Sequence, residues 1–277
     1  RYGVITGRYC WRSKLKRGVL GGYSAPLIEK DRPTVGSVLQ KAGYHTAAIG
    51  KWHLGMNMTR REGGKPAKDR WDGDGNVDYT KPIADSPITR GFNEYFGVSA
   101  SLDMSPYVWI ENDHFAKPPT LQQAAVKFPG FVRRGPRSDD LEFDDALDVL
   151  AQRAAGFFQR MAKKKATFFL YLPLTGPHKP VGPHPRFKGK TSLGPYGDFV
   201  MNVDDAVGQV LRALDETKLA DNTLVIFTSD NGSFMYRVND EDDHVKTPGK
   251  QQYHAKNHTA NGPWRGTKAD IWEGGHH

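Results

Sequence analysis

Gly50-Lys51-Trp52-His53-Leu54-Gly55 sets a lysine and a histidine directly after a short apolar run, Thr46-Ala47-Ala48-Ile49. A cation and a proton-transfer group two residues apart suit chemistry in which negative charge develops on an oxygen. Two later segments repeat the arrangement. Phe168-Phe169-Leu170-Tyr171-Leu172 leads into Pro173-Leu174-Thr175-Gly176-Pro177-His178, and Leu224-Val225-Ile226-Phe227 leads into Thr228-Ser229-Asp230-Asn231-Gly232. Asp230 and Asn231 offer adjacent oxygens, a donor set that suits Ca²⁺, or Mg²⁺, over zinc. Taken alone, Asp-Asn-Gly is equally a turn, and two ligands do not complete a site. A lone histidine near proline is commonly a loop residue bonded to backbone, and Trp52 by itself reads as core packing. The signal lies in the set: Lys51, His53, His178, Asp230 and Asn231 at three successive strand ends, with Lys268 adding a further cation.

Continuous apolar runs of this length suit strands buried on both faces, as in a parallel sheet flanked by helices. Such sheets bind ligands beyond the carboxyl ends of their strands. The runs predict strands over 44–49, 166–172 and 223–227. Pro33-Thr34 opens a helix with Val35, Val38, Leu39 and Ala42 at helical spacing, closed by Gly43. A longer helical pattern begins at Asp139, carries Phe143, Leu147, Leu150, Ala154, Phe157, Phe158 and Met161 on one face, and ends in Lys163-Lys164-Lys165, matching the helix dipole. A third helix is predicted near 198–214, with Phe199, Val203, Val207, Val210 and Leu214 inward. Strand, helix, strand units of this kind close by right-handed crossovers, so the expected fold is α/β, a three-layer sandwich around a mostly parallel sheet. Residues 56–89 and 233–262 are polar and rich in turn formers, which reads as long loops shaping a site.

The 277 residues carry a formal net charge of +8 and one cysteine. That length buries a substantial core and fits one large α/β domain. The basic residues are scattered through Arg60-Arg61, Arg133-Arg134 and Lys163-Lys164-Lys165 rather than gathered in one aromatic-interleaved stripe, so the charge reads as a solvated surface and no nucleic-acid partner is expected. An anionic substrate fits the same charge. No run approaches the ~20 apolar residues of a membrane-spanning helix, and no membrane partner is expected. Cys10, alone, makes neither an internal disulfide nor a Cys-based metal site. Arg1 is not a natural start, which suggests a fragment or processed product, and His276-His277 reads as part of a tag.

These residues resemble the type I sulfatases of the alkaline phosphatase superfamily. Gly50-Lys51-Trp52-His53-Leu54-Gly55 is similar to that family's second signature, and Thr6-Gly7-Arg8-Tyr9 to the segment after its first, Cys-x-Pro-Ser-Arg, whose Cys becomes formylglycine and whose last residue Arg1 resembles. The resemblance continues through Gly91-Phe92-Asn93-Glu94-Tyr95-Phe96-Gly97, Pro177-His178-Lys179-Pro180, Gly194-Pro195-Tyr196-Gly197-Asp198 and Asn261-Gly262-Pro263-Trp264-Arg265-Gly266-Thr267-Lys268. It implies a sulfuric ester hydrolase in which Lys51 and Lys268 hold sulfate oxygens and His178 protonates or orients the leaving oxygen. Arg1 and His53 would position the formylglycine hydrate. Ser101 falls near the family's active-site serine, and Asp230 and Asn231 would be two Ca²⁺ ligands.

The resemblance further implies one catalytic domain over 1–277, with the nucleophile's strand and an Asp pair upstream of Arg1 and a smaller domain downstream. Without that nucleophile the 277 residues are expected to be inactive and marginally stable. A sulfated small molecule or carbohydrate is the implied substrate, a formylglycine-generating enzyme the implied maturation partner, and the periplasm or exterior the implied location. Two rivals remain: a phosphodiesterase or phosphonate hydrolase of the same superfamily, and a catalytically dead module binding sulfated glycans.

Overall fold

The structure is a computed structural model that describes residues 1–62, 76–127, 130–238, 252–254 and 258–276. Nine elements position the site: α1 (Tyr2–Thr6), α2 (Val35–Lys41), β1 (His45–Lys51), β2 (Glu94–Val98), β3 (Ile110–Glu111), β4 (His114–Phe115), α3 (Ala146–Lys164), β5 (Phe168–Tyr171) and α4 (Gly194–Glu216). The five strands form one sheet in the order β4-β3-β2-β1-β5. β1 runs parallel to β2 and to β5, while β3 and β4 add an antiparallel margin. The expected α/β architecture with a mostly parallel sheet is present.

Alternation along β1 explains its unbroken apolar run. Ala47 and Ile49 point to one face, where Leu150, Ala154, Phe157, Phe158 and Met161 of α3 pack; Ala48 points to the other, with Trp52, Phe92 and Tyr95. Covering both faces removes the need for polar positions. Burying each large α3 side chain contributes about 1.5–3 kcal/mol. α3 starts at Ala146 rather than Asp139, because residues 139–145 form turns. Lys163 and Lys164 close it as the dipole reading requires. Thr34 and Ser37 cap α2 reciprocally, each side chain accepting from the other's backbone N–H. Val38 of α2 is 56% exposed and not on the buried face: the helix instead packs through Gly36, whose hypothetical Cβ would lie 2.7 Å from the Gly91 carbonyl oxygen.

β1 and β2 are drawn together by two glycines opposite each other. A Cβ on Gly97 would stand 1.8 Å from the Gly50 oxygen, and Gly50, at φ 131°, would meet the Pro173 oxygen at 2.3 Å. The chain therefore delivers Lys51 from a point where three backbone segments converge.

The predicted strand over 223–227 does not form. The segment follows α4 without regular secondary structure and joins no ladder, and Leu224, Ile226 and Phe227 are 86%, 77% and 76% exposed. An apolar, β-branched run supplies strand propensity, but the ladder bonds come from a neighbour. Among the described residues β5 pairs with β1 alone and is the sheet's margin on that side. No helix of the described residues is long and apolar enough to cross a membrane.

Candidate active site

Lys51 ends β1 and is 2% exposed. Its backbone N–H donates to the Pro173 carbonyl at 2.9 Å, and its Nζ donates to Ser101 Oγ at 3.1 Å. Ser101 lies on the loop after β2, and its Oγ is 3.0 Å from His178 Nδ1. That same Nδ1 is 2.8 Å from the Lys179 carbonyl oxygen. A carbonyl only accepts, so Nδ1 carries the hydrogen and Nε2 keeps the lone pair in the neutral ring. His53 takes a positive φ of 56° just past the strand, its backbone N–H donating to the Ser99 carbonyl at 3.0 Å. Its Nε2 donates to the Leu20 carbonyl at 2.7 Å, which leaves the lone pair on Nδ1.

Arg1, at the N-cap of α1, places Nη1 2.6 Å from Asp230 Oδ2. The loop that carries Asp230 is tied to the one that carries Lys268: the Ser233 N–H donates to Asn261 Oδ1 at 2.7 Å, and the Lys268 N–H donates to the Ser233 carbonyl at 2.8 Å. Asn231 Nδ2 donates to the Gly232 carbonyl at 2.9 Å. The structure thus joins Lys51, Ser101 and His178 by hydrogen bonds, and Arg1 to Asp230 by an ion pair, although the strand expected to deliver Asp230 is absent.

The electrostatics link the two groups. Burial holds Lys51 well below the usual lysine range, with Arg1 and Lys268 adding repulsion. His53 is pushed down to about 3 by burial and by Lys51. His178 is lowered well below the usual range by burial, then by Lys51 and Lys268, and burial lowers Lys268 as well. For Asp230 burial acts upward, but the surrounding cations, Arg1 first, then Lys51 and Lys268, together leave the carboxyl below its usual range. Groups that resist protonation through burial and mutual repulsion regain it when an anion settles among them.

Sequence reasoning missed Asp103. It is 2% exposed, its Oδ2 pairs with Arg133, and its Oδ1 has no hydrogen-bond partner among the described residues while lying 3.8 Å from His178 Nδ1. The spacing Ser101-Leu102-Asp103 was the available signal. Lys179, beside His178, sets its ammonium 4.2 Å from the Phe131 ring centroid and 5.2 Å from that of Phe234.

Asp230 and Asn231 carry hard oxygen donors, and Asp230 is held anionic, so both fit part of a Ca²⁺ or Mg²⁺ site. They do not fill one. No group of three or more His, Cys, Asp or Glu among the described residues is placed to hold a metal.

The model of the family described as Sulfatase matches residues 6–277. The chain belongs to the sulfatase family. It is 29% identical over 309 residues to an N-acetylgalactosamine-6-O-sulfatase of Bacteroides thetaiotaomicron, covering 99% of this chain and 55% of the relative. With human steryl-sulfatase it shares 30% identity over 311 residues, covering 99% of this chain and 51% of the relative. The chain thus spans about half the length of these two sulfatases. A solved structure from work on the metabolism of multiple glycosaminoglycans by Bacteroides thetaiotaomicron superposes with a TM-score of 0.77 at 27% identity, over 100% of this chain and 59% of that one. A Pseudoalteromonas sp. sulfatase shares the fold, with a TM-score of 0.64 at 22% identity over 99% of this chain and 49% of the other.

Proposed function

We propose that the protein hydrolyses sulfate monoesters of carbohydrates, with 6-O-sulfated N-acetylgalactosamine the first substrate to test. The observation that carries the reading is the buried chain Lys51 Nζ, Ser101 Oγ, His178 Nδ1, flanked by Lys268. The names of the N-acetylgalactosamine-6-O-sulfatase of Bacteroides thetaiotaomicron and of the mouse and human N-acetylgalactosamine-6-sulfatases support the substrate class.

In this family's chemistry the attacking oxygen belongs to a formylglycine hydrate and a hard cation supplies Lewis acidity. Asp230 and Asn231 would hold the cation, and Arg1 and His53 would hold the hydrate. Lys51 and Lys268 bind sulfate oxygens and take up the charge that grows there; the low-dielectric surroundings of Lys51 strengthen that interaction. As the anion enters, His178 is drawn back toward its protonated form, acquires a proton on Nε2 and delivers it to the departing alcohol oxygen. His53 rests unprotonated at neutral pH with its lone pair on Nδ1, and so is available there as a proton acceptor.

The test is sulfate release by the full-length protein, matured with its formylglycine, from 6-O-sulfated N-acetylgalactosamine, from 4-nitrophenyl sulfate and from 4-nitrophenyl phosphate. Turnover of the sulfates above the phosphate is expected. Preference for the phosphate, or binding of the sulfated sugar with no turnover of any ester, overturns the reading.

A further inference from the structure

Beside His178 stands a wall whose composition exceeds what one sulfate needs. Lys179 follows His178 directly, and its carbonyl holds the His178 ring. Its ammonium is clamped over two phenyl rings, Phe131 at 4.2 Å and Phe234 at 5.2 Å. Phe234 in turn lies 6.1 Å from the His178 ring and 5.5 Å from that of Tyr196, so one aromatic surface bridges the histidine and the lysine charge. Arg133 reaches the same place, 5.2 Å from the Phe131 centroid, and pairs with the buried Asp103.

Resting on the sulfate-ester reading, we infer that Lys179, clamped by Phe131 and Phe234, is a specificity-determining residue that binds a second anionic group carried on the leaving-alcohol side of the substrate. The direction follows from the chemistry: the atom that receives the His178 proton is the leaving oxygen, so the rest of the alcohol extends over the surface adjoining that ring. The aromatic faces offer an apolar platform to the C–H faces of a sugar, and the ammonium offers up to three donors to an anion. Lys179 is half-buried, which lowers its own protonation and strengthens its attraction to a charge placed against it. The second anion is a carboxylate or another sulfate.

The experiment compares 6-O-sulfated N-acetylgalactosamine linked to a uronate, the methyl ester of that uronate, and a disulfated disaccharide lacking the carboxylate, each on the full-length protein. Both kcat/KM and calorimetric affinity are measured. The wild type is expected to favour the acid over its methyl ester by about tenfold, the size of one charge-assisted hydrogen bond. In Lys179→Met that ratio collapses toward one, and in Lys179→Arg most of it survives. A wall that reads sulfate instead shows the tenfold preference for the disulfated sugar, lost in the same variant. A wild type indifferent to both anionic groups overturns the inference. So does a Lys179→Met protein that loses acid and ester alike with the ratio intact, which is what a structural role produces. If no ester is hydrolysed at all, the sulfatase reading fails, while the affinity ratio still decides for or against Lys179.

Discussion

At Lys51 a fully buried ammonium between Arg1 and Lys268 is expensive to maintain, a cost offset when an anion arrives. Lys51→Met should lower kcat by about 10²–10³ on a sulfate ester, the effect of removing one preorganised donor to a developing negative charge. Steady-state kinetics with folding checked by circular dichroism would read it, and a change confined to KM would contradict the role. His53 makes a prediction about stability. Its folded pKa of about 3 lies below the ordinary histidine value near 6.5, so the unfolded chain binds the proton first as the pH falls. The contribution is fully present above about pH 6.5 and is lost progressively toward pH 3, with His178 acting in the same sense. Melting temperatures between pH 4 and 8 should fall on the acid side, and His53→Gln, which keeps a donor for the Leu20 carbonyl, should flatten the slope. An identical slope in the variant would remove His53 from the account.

At the scale of the elements, the Gly50 and Gly97 contact is what aims Lys51. Gly97→Ala places a methyl group 1.8 Å from a backbone oxygen with no flexible neighbour to yield, and should cost about 2–3 kcal/mol or more. Urea titration of the variant against the wild type measures it, and a loss under 0.5 kcal/mol would show that the strands part easily. The sequence made β1, α3 and α4 legible because each carries its own periodicity: alternation satisfied on both faces in one case, a long apolar stripe in the others. The candidate site was legible for a related reason, since Lys51, His53 and His178 sit where those apolar runs break. Asp103 left no such trace: its neighbours from 99 to 108 form a loop, and the meaning of a buried carboxylate comes from Arg133 and His178, 30 and 75 residues away in the chain. The 223–227 segment failed for the opposite reason, a strong local pattern with no strand among the described residues to complete it.

Over the whole molecule, among the described residues, β5 is an open flank of the sheet and the run 224–227 exposes apolar side chains. Such flanks template pairing between copies. Sedimentation velocity of the 277-residue chain should show concentration-dependent association that Ile226→Asp reduces; a wild type that stays monomeric across the tested range would count against it. The ion pair between Arg1 and Asp230 joins residues 229 positions apart, which sets a clock on assembly. During synthesis at about 5–20 residues per second, Arg1 emerges on the order of 10–50 s before the carboxylate that will hold it. Until Asp230 is made, Arg1 lacks the carboxylate that pairs with it in the folded site, so this ion pair closes only late in the synthesis of the chain.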